Sequence, residues 1–265
     1  MYFKVSKKEF YNALSVASRA ISTFSPLPAF SGIKIDAKED CLILTGSDSD
    51  VSIQTKLTKS EECVLEIRDM GSIVIEAKYI LEIVRKIDAD EIEFEMIDGS
   101  LTKISGNTAE FRINGMRANE YPAIDFSKPK ECFALKEETL KKVILQTSFA
   151  TSDKETRPVL TGVNFHCEGN TLHCVATDSY RLAKKTIDIS ESLNFNITIP
   201  AKSLSEVVKT LEGEGEVEIA VNDKKAQFII HDTIVQTRLI DGVYPETSRL
   251  IPLQFDYELT IDSRD

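Results

Sequence analysis

The strongest constraint on this chain is that its pattern is written twice. Residues 10–17, Phe-Tyr-Asn-Ala-Leu-Ser-Val-Ala, put Phe10, Ala13, Leu14 and Ala17 on one helical face. Leu140, Val143, Ile144 and Thr147 repeat that spacing 130 positions later (10 to 140). The offset then holds without a gap through Pro28 and Pro158, Gly32 and Gly162, Leu42 and Leu172, and Asp48-Ser49 and Asp178-Ser179. Each copy reads Pro-x-x-[Ser/Thr]-Gly-[Ile/Val]. Each then alternates as a strand, through Ile33 and Ile35 in one copy and Val163 and Phe165 in the other.

A second helix repeats as well. Ile75–Ile87 aligns with Ile199–Leu211 at an offset of 124 (75 to 199). Both follow a strand, both precede a Glu-x-Glu strand (Glu91, Glu216), and both units close on Tyr-Pro, at Tyr121-Pro122 and Tyr244-Pro245. Each unit therefore reads helix, strands, helix, strands, which predicts an α+β fold with two helices packed on antiparallel sheet. Gly169-Asn170 and Asp223-Lys224 read as hairpin turns. Aromatic-led strands open the units at Phe3 and Phe133, and a third such opening stands at Tyr257. The pattern stops at Asp265, where another first helix is due, so the sequence reads as a fragment; a two-unit protein with a short terminal strand is the alternative. The predicted units are 1–128 and 129–253, with 254–265 as the first strand of a third. The linkers are polar and contain proline, near Ser127–Lys130 and Ile251–Gln254.

Composition narrows the function. A formal net charge of −11 argues against a protein that grips nucleic acid by neutralising many phosphates. No apolar run is long enough to span a membrane, and the N-terminal residues lack the apolar core of a secretory signal. Five cysteines (41, 63, 132, 167 and 174) with no C-x-x-C pair fit a reducing, cytoplasmic compartment. The sequence carries no P-loop, G-x-G-x-x-G, G-x-S-x-G or H-E-x-x-H. His166 and His173 should face each other across the Gly169-Asn170 turn, but alternation sends Cys167 and Cys174 to the opposite face. That predicts a cross-strand polar pair rather than a metal site, and no cofactor is expected.

The stretch Ala176-Thr-Asp-Ser-Tyr-Arg-Leu182 ends an alternating strand on turn residues, and the next strand is read as restarting at Tyr180. The plain reading is a hairpin whose Asp178 caps its own backbone and whose Arg181 is solvated. Together with Arg157-Pro-Val-Leu-x-Gly162, Asp241-Gly-Val-Tyr-Pro245, Arg249-Leu-Ile-Pro252 and Asn114-Gly-Met-x-x-x-Glu-Tyr-Pro122, the stretch resembles the family of bacterial DNA polymerase III beta subunits, the sliding clamps. The likeness runs the whole length of the chain. It implies tandem DNA-clamp domains, three to a chain, with two full-length chains closing head to tail into a homodimeric ring around duplex DNA.

The ring would be a non-catalytic processivity factor. Its implied partners are double-stranded DNA, the polymerase III alpha-type subunit, the clamp loader, and other polymerases and repair proteins. Partners would insert a short peptide into a groove that here carries Leu160, Thr177, Ser179, Arg181, Leu182, Pro245, Arg249 and Leu250. The resemblance also places Lys154 and Arg157 on a DNA-contacting loop. Two departures stand out: Tyr180 replaces a smaller or imidazole side chain, and Thr23-Phe24-Ser25 lacks an expected basic residue. Independently of the resemblance, Lys78, Glu82 and Arg85 recur as Lys202, Glu206 and Lys209, each trio on one helical face opposite apolar residues such as Ile80, Ile83, Val84 and Ile87. A basic face repeated in both units predicts a shared DNA-facing surface. The competing readings are an interaction scaffold that never surrounds DNA, and an enzyme with a site outside the known motifs.

Overall fold

The structure, a computed structural model, describes residues 1–22, 27–154, 156–247, 250–251, 254, 256–257, 259–260 and 262. The first unit runs β1 (Tyr2–Ser6), α1 (Lys7–Ser18), β2 (Gly32–Ala37), β3 (Cys41–Ser47), β4 (Val51–Thr58), β5 (Leu65–Asp69) and β6 (Gly71–Glu76). It continues through α2 (Ala77–Lys86), β7 (Glu91–Asp98), β8 (Leu101–Gly106), β9 (Ala109–Asn114) and a short β10 (Met116–Arg117). The second runs β11 (Glu131–Lys136), α3 (Glu137–Thr147), β12 (Gly162–Thr177), β13 (Leu182–Pro200), α4 (Ala201–Thr210), β14 (Glu216–Val221), β15 (Lys225–Ile230) and β16 (Thr233–Arg238).

The helices bury the faces that the repeat predicts. Phe10, Ala13, Leu14 and Ala17 of α1 are buried, as are Leu140, Val143, Ile144 and Thr147 of α3. The invariant glycine of the repeat has a steric reason. A Cβ on Gly32 would stand 2.6 Å from Val74 Cγ1, and one on Gly162 would stand 2.6 Å from the Ile199 carbonyl oxygen. Strand β12 folds back on itself at Gly169, where φ is +61°. The His166 and His173 rings consequently lie 6.4 Å apart, as the sequence predicts, although an extended run of that length would separate them by roughly 20 Å. Cys167 and Cys174 point inward and are buried, and burial pushes both thiols up. Asp223-Lys224 likewise makes the β14–β15 turn, where Asn222 Oδ1 accepts the Lys224 and Lys225 amides at 2.9 Å.

The decisive feature is how the units join. One sheet has the order β5-β1-β7-β8-β9; a second, β10-β6-β2-β3-β4-β16-β15-β14-β11, crosses from unit to unit through the antiparallel pair β4–β16. The second unit's core accordingly takes in Ala20, Val51 and Ile53 of the first. The helical layer is tied at the same seam, because Arg19 Nη1 donates to the Lys209 carbonyl at 2.7 Å. Among the described residues, no helix is long and apolar enough to cross a membrane. Half of the expected third-unit segment, 254–265, falls outside the described residues; Tyr257 and Leu259 within it are exposed.

The linker is held by Asp125. Its carboxylate accepts from Ser127 N–H and Oγ–H, both at 2.8 Å, and pairs with Lys225 Nζ at 3.2 Å. These contacts, with Ser127 foremost, hold its pKa down at about 2. A depressed carboxylate contributes fully above its ordinary value near 3.8 and loses that contribution as pH falls through about 2. NMR titration of the Asp125 carboxyl should give a midpoint near 2, moving upward in Lys225→Ala. A midpoint at the ordinary value in the wild-type chain would show the tether absent in solution.

Candidate partner groove and nucleic-acid interface

Asp178 does cap its own backbone: Oδ1 accepts the Tyr180 and Arg181 amides, both at 2.9 Å, while Ser179 takes φ +80°. The first unit builds the same turn. Asp48 Oδ1 accepts the Asp50 and Val51 amides at 3.1 and 2.8 Å, with Ser49 at φ +86°. The repeated Asp-Ser is thus explained by a side chain that replaces missing strand hydrogen bonds. Those amides, then Arg181, hold the Asp178 carboxyl below its usual range. One expectation fails: Tyr180 and Arg181 belong to the turn, and the strand restarts only at Leu182. With Asp178 bonded to both amides, neither can join a ladder.

Thr177 knots this turn to two other segments. Its Oγ1 donates to the Arg181 carbonyl at 2.7 Å and accepts the Ser179 amide at 3.1 Å, while its own N–H donates to Tyr244 Oη at 3.0 Å. The Tyr244-Pro245 segment is thereby brought beside the turn. Leu160 is 1% exposed and Thr177 4%. Of the residues that the resemblance assigns to the groove, these two are therefore buried and lie beneath the surface of the turn. Ser179, Pro245 and Leu250 are exposed and Leu182 is half-buried; Arg249 lies outside the described residues, as do Thr23, Phe24 and Ser25. Arg181 is not simply solvated. Its Nε lies 3.0 Å from Asp178 Oδ2, and its guanidinium sits 5.8 Å from the ring centre of Phe149. Phe149 was missed in the sequence; the available signal was a bulky aromatic 130 residues after Arg19, outside the helix's apolar stripe.

The repeated basic face exists but is largely self-neutralised. Arg85 pairs with Glu82 at 2.6 Å and Lys209 with Glu206 at 2.8 Å, while Lys202 reaches Asp48 at 3.6 Å across the seam. Arg85 pulls the Glu82 carboxyl down accordingly. Among the described residues Lys78 forms no ion pair and rests 5.9 Å from the Tyr79 ring centre. Lys154 and Arg157 are exposed on the loop between α3 and β12. Among the described residues no cluster of three metal-ligating side chains occurs.

Comparison with known proteins agrees with this architecture. Residues 1–125 match the DNA polymerase III beta subunit N-terminal domain, and residues 134–246 match its central domain. The beta sliding clamp of Bacillus subtilis is 37% identical over the whole of this chain and 71% of its own length. The chain belongs to the DNA polymerase III beta subunit family. The crystal structure of the B. subtilis sliding clamp superposes with a TM-score of 0.93 at 36% identity, over 96% of this chain and 68% of that one. The Streptococcus pneumoniae beta chain gives 0.92 at 33%, over 96% and 69%. The protein is a sliding clamp of DNA replication with the clamp fold, and the scaffold reading is not favoured.

Proposed function

We propose that clamp units of this kind continue head to tail until they close a homodimeric ring around duplex DNA, and that the ring tethers polymerase III and other partners through the second-unit groove. The observation that carries this reading is the seam. At the repeat offsets the counterpart of β16 is β9, and that of β4 is the first half of β13. Both are edge strands among the described residues. The first unit at β9 and the second at β13 thus each offer one half of the junction that β4 and β16 already make, and a heterologous junction closes when its rotation divides a full turn. A non-catalytic, cytoplasmic role with clamp loader, polymerase and repair partners goes with this reading. The ring predicts retention on circular duplex after loading and release from linear duplex. Equal release from both would sink it.

A topologically held duplex needs little binding free energy, which suits a net acidic chain whose repeated basic helix face is largely ion-paired. Replacing Lys78, Arg85, Lys202 and Lys209 by Ala in the full-length protein should weaken duplex binding and flatten its salt dependence. Each lost phosphate contact removes about 0.9 from the log–log slope. Because three of the four are already ion-paired, Lys78→Ala alone should carry the largest share. An unchanged slope in a binding titration removes this face from the DNA.

For the groove, Leu182→Ala and Leu250→Ala should each cost about 1–3 kcal/mol of affinity for a clamp-binding peptide with little change in melting. Leu160→Ala, being fully buried, should instead destabilise the fold by about 2–5 kcal/mol. Calorimetric titration paired with thermal melts separates the two behaviours. Unmoved peptide affinity in both surface variants would put the groove elsewhere.

A further inference from the structure

The first unit holds a second groove, at its junction with the second unit. It is assembled from the counterparts of the same segments: the short helical turn Pro28–Ser31 for Pro158–Thr161, the Asp48-Ser49 turn for Asp178-Ser179, and Tyr121-Pro122 for Tyr244-Pro245. Phe30 and Tyr121 meet edge to face at 5.3 Å and form its apolar support with Ile124. Because β4 pairs with β16, the end of the second unit supplies the opposite wall, through Gln236, Arg238 and Leu239. The open cleft between them measures about 690 Å³, within the range of ligand sites.

Its charges indicate the occupant. Lys225 is consumed by Asp125, but among the described residues Lys224 and Arg238 form no ion pair. Asp50 and Asp241 line the same cleft, also without ion pairs. A rim of both signs lacks the run of cations that holds a polyanion, yet offers a single carboxylate Lys224 and Arg238 beside the apolar surface of Leu27 and Leu239. We infer that this junction cleft is a second docking site, for a short extended peptide with a large apolar side chain next to a carboxylate. The peptide class rests on the reading of the second-unit groove; the cleft and its charges do not.

The test is calorimetric titration of the chain with the probe acetyl-Gly-Leu-Phe-Asp-Gly-amide, with melts of every variant as a check on folding. Arg238→Glu and Leu27→Glu should each weaken one binding event at least tenfold and leave melting unchanged. Replacing Asp by Asn in the probe should weaken binding to the wild-type chain but not to Arg238→Glu. Leu250→Glu, on the second-unit groove, should leave that event intact. If Arg238→Glu and Leu27→Glu bind as wild type, the inference is overturned; a loss seen only in Leu250→Glu would leave the second-unit groove standing alone. Displacement of the probe by a short single-stranded oligodeoxynucleotide would overturn the peptide assignment. No binding of the probe at all would overturn the site.

Discussion

Val235→Asp is expected to lower the melting temperature by ~8–16 °C and to split one cooperative transition into two. Val235 is fully buried and lies opposite Ile53, also fully buried, in the β16–β4 pair. Both belong to the core that takes in Ala20 and Val51 of the first unit. A carboxylate there has no water and no cation, which costs about 4 kcal/mol or more. For a chain of this size each kcal/mol corresponds to about 2–4 °C. Because the seam also ties the helical layer through Arg19, its loss should let the units unfold separately. Differential scanning calorimetry is the measurement. A single transition at the wild-type temperature would mean that the two units do not share a core in solution.

The second large effect is confined to the first unit. Phe3, Phe10 and Phe94 are fully buried and mutually in contact: Phe3 and Phe94 stack at 4.7 Å, and Phe10 meets them edge-on at 5.7 and 6.5 Å. Phe94→Ala removes the ring common to the stack and to one of the edge contacts. It should cost about 3–5 kcal/mol, part of it the aromatic geometry itself. Phe111→Ala, on the partly exposed edge strand β9, is the control and should cost far less. Urea denaturation followed by a first-unit probe would check both. Equal effects for Phe94 and Phe111 would contradict the packing described here.

Much of the local architecture was legible because it repeats. Helix faces such as Phe10–Ala17 and Leu140–Thr147 follow from spacing alone, and recurrence in two copies removes most accidental matches. The Asp-Ser turns and the glycines at 32 and 162 were legible for the same reason: their causes, side-chain bonding to amides and close backbone approach, act within a few residues or one strand pair. The free edges were less legible, since a strand's pattern states which face it buries and not which neighbour it lacks.

The candidate surfaces divide along the same line. The sequence by itself determined the two units, their α+β content, the turn at Asp178 and which helix positions carry charge, because these depend on periodicity and on short-range bonding. Only the tertiary structure decided that Leu160 and Thr177 are buried supports, that Arg181 is committed to Asp178 and Phe149, and that Lys202 and Arg19 fasten the seam. The seam contacts join segments more than a hundred residues apart along the chain, and even the nearer contacts of Arg181 and Thr177 depend on how separate segments pack, so no local pattern encodes which ring or carboxylate a cation will meet once the sheets have joined.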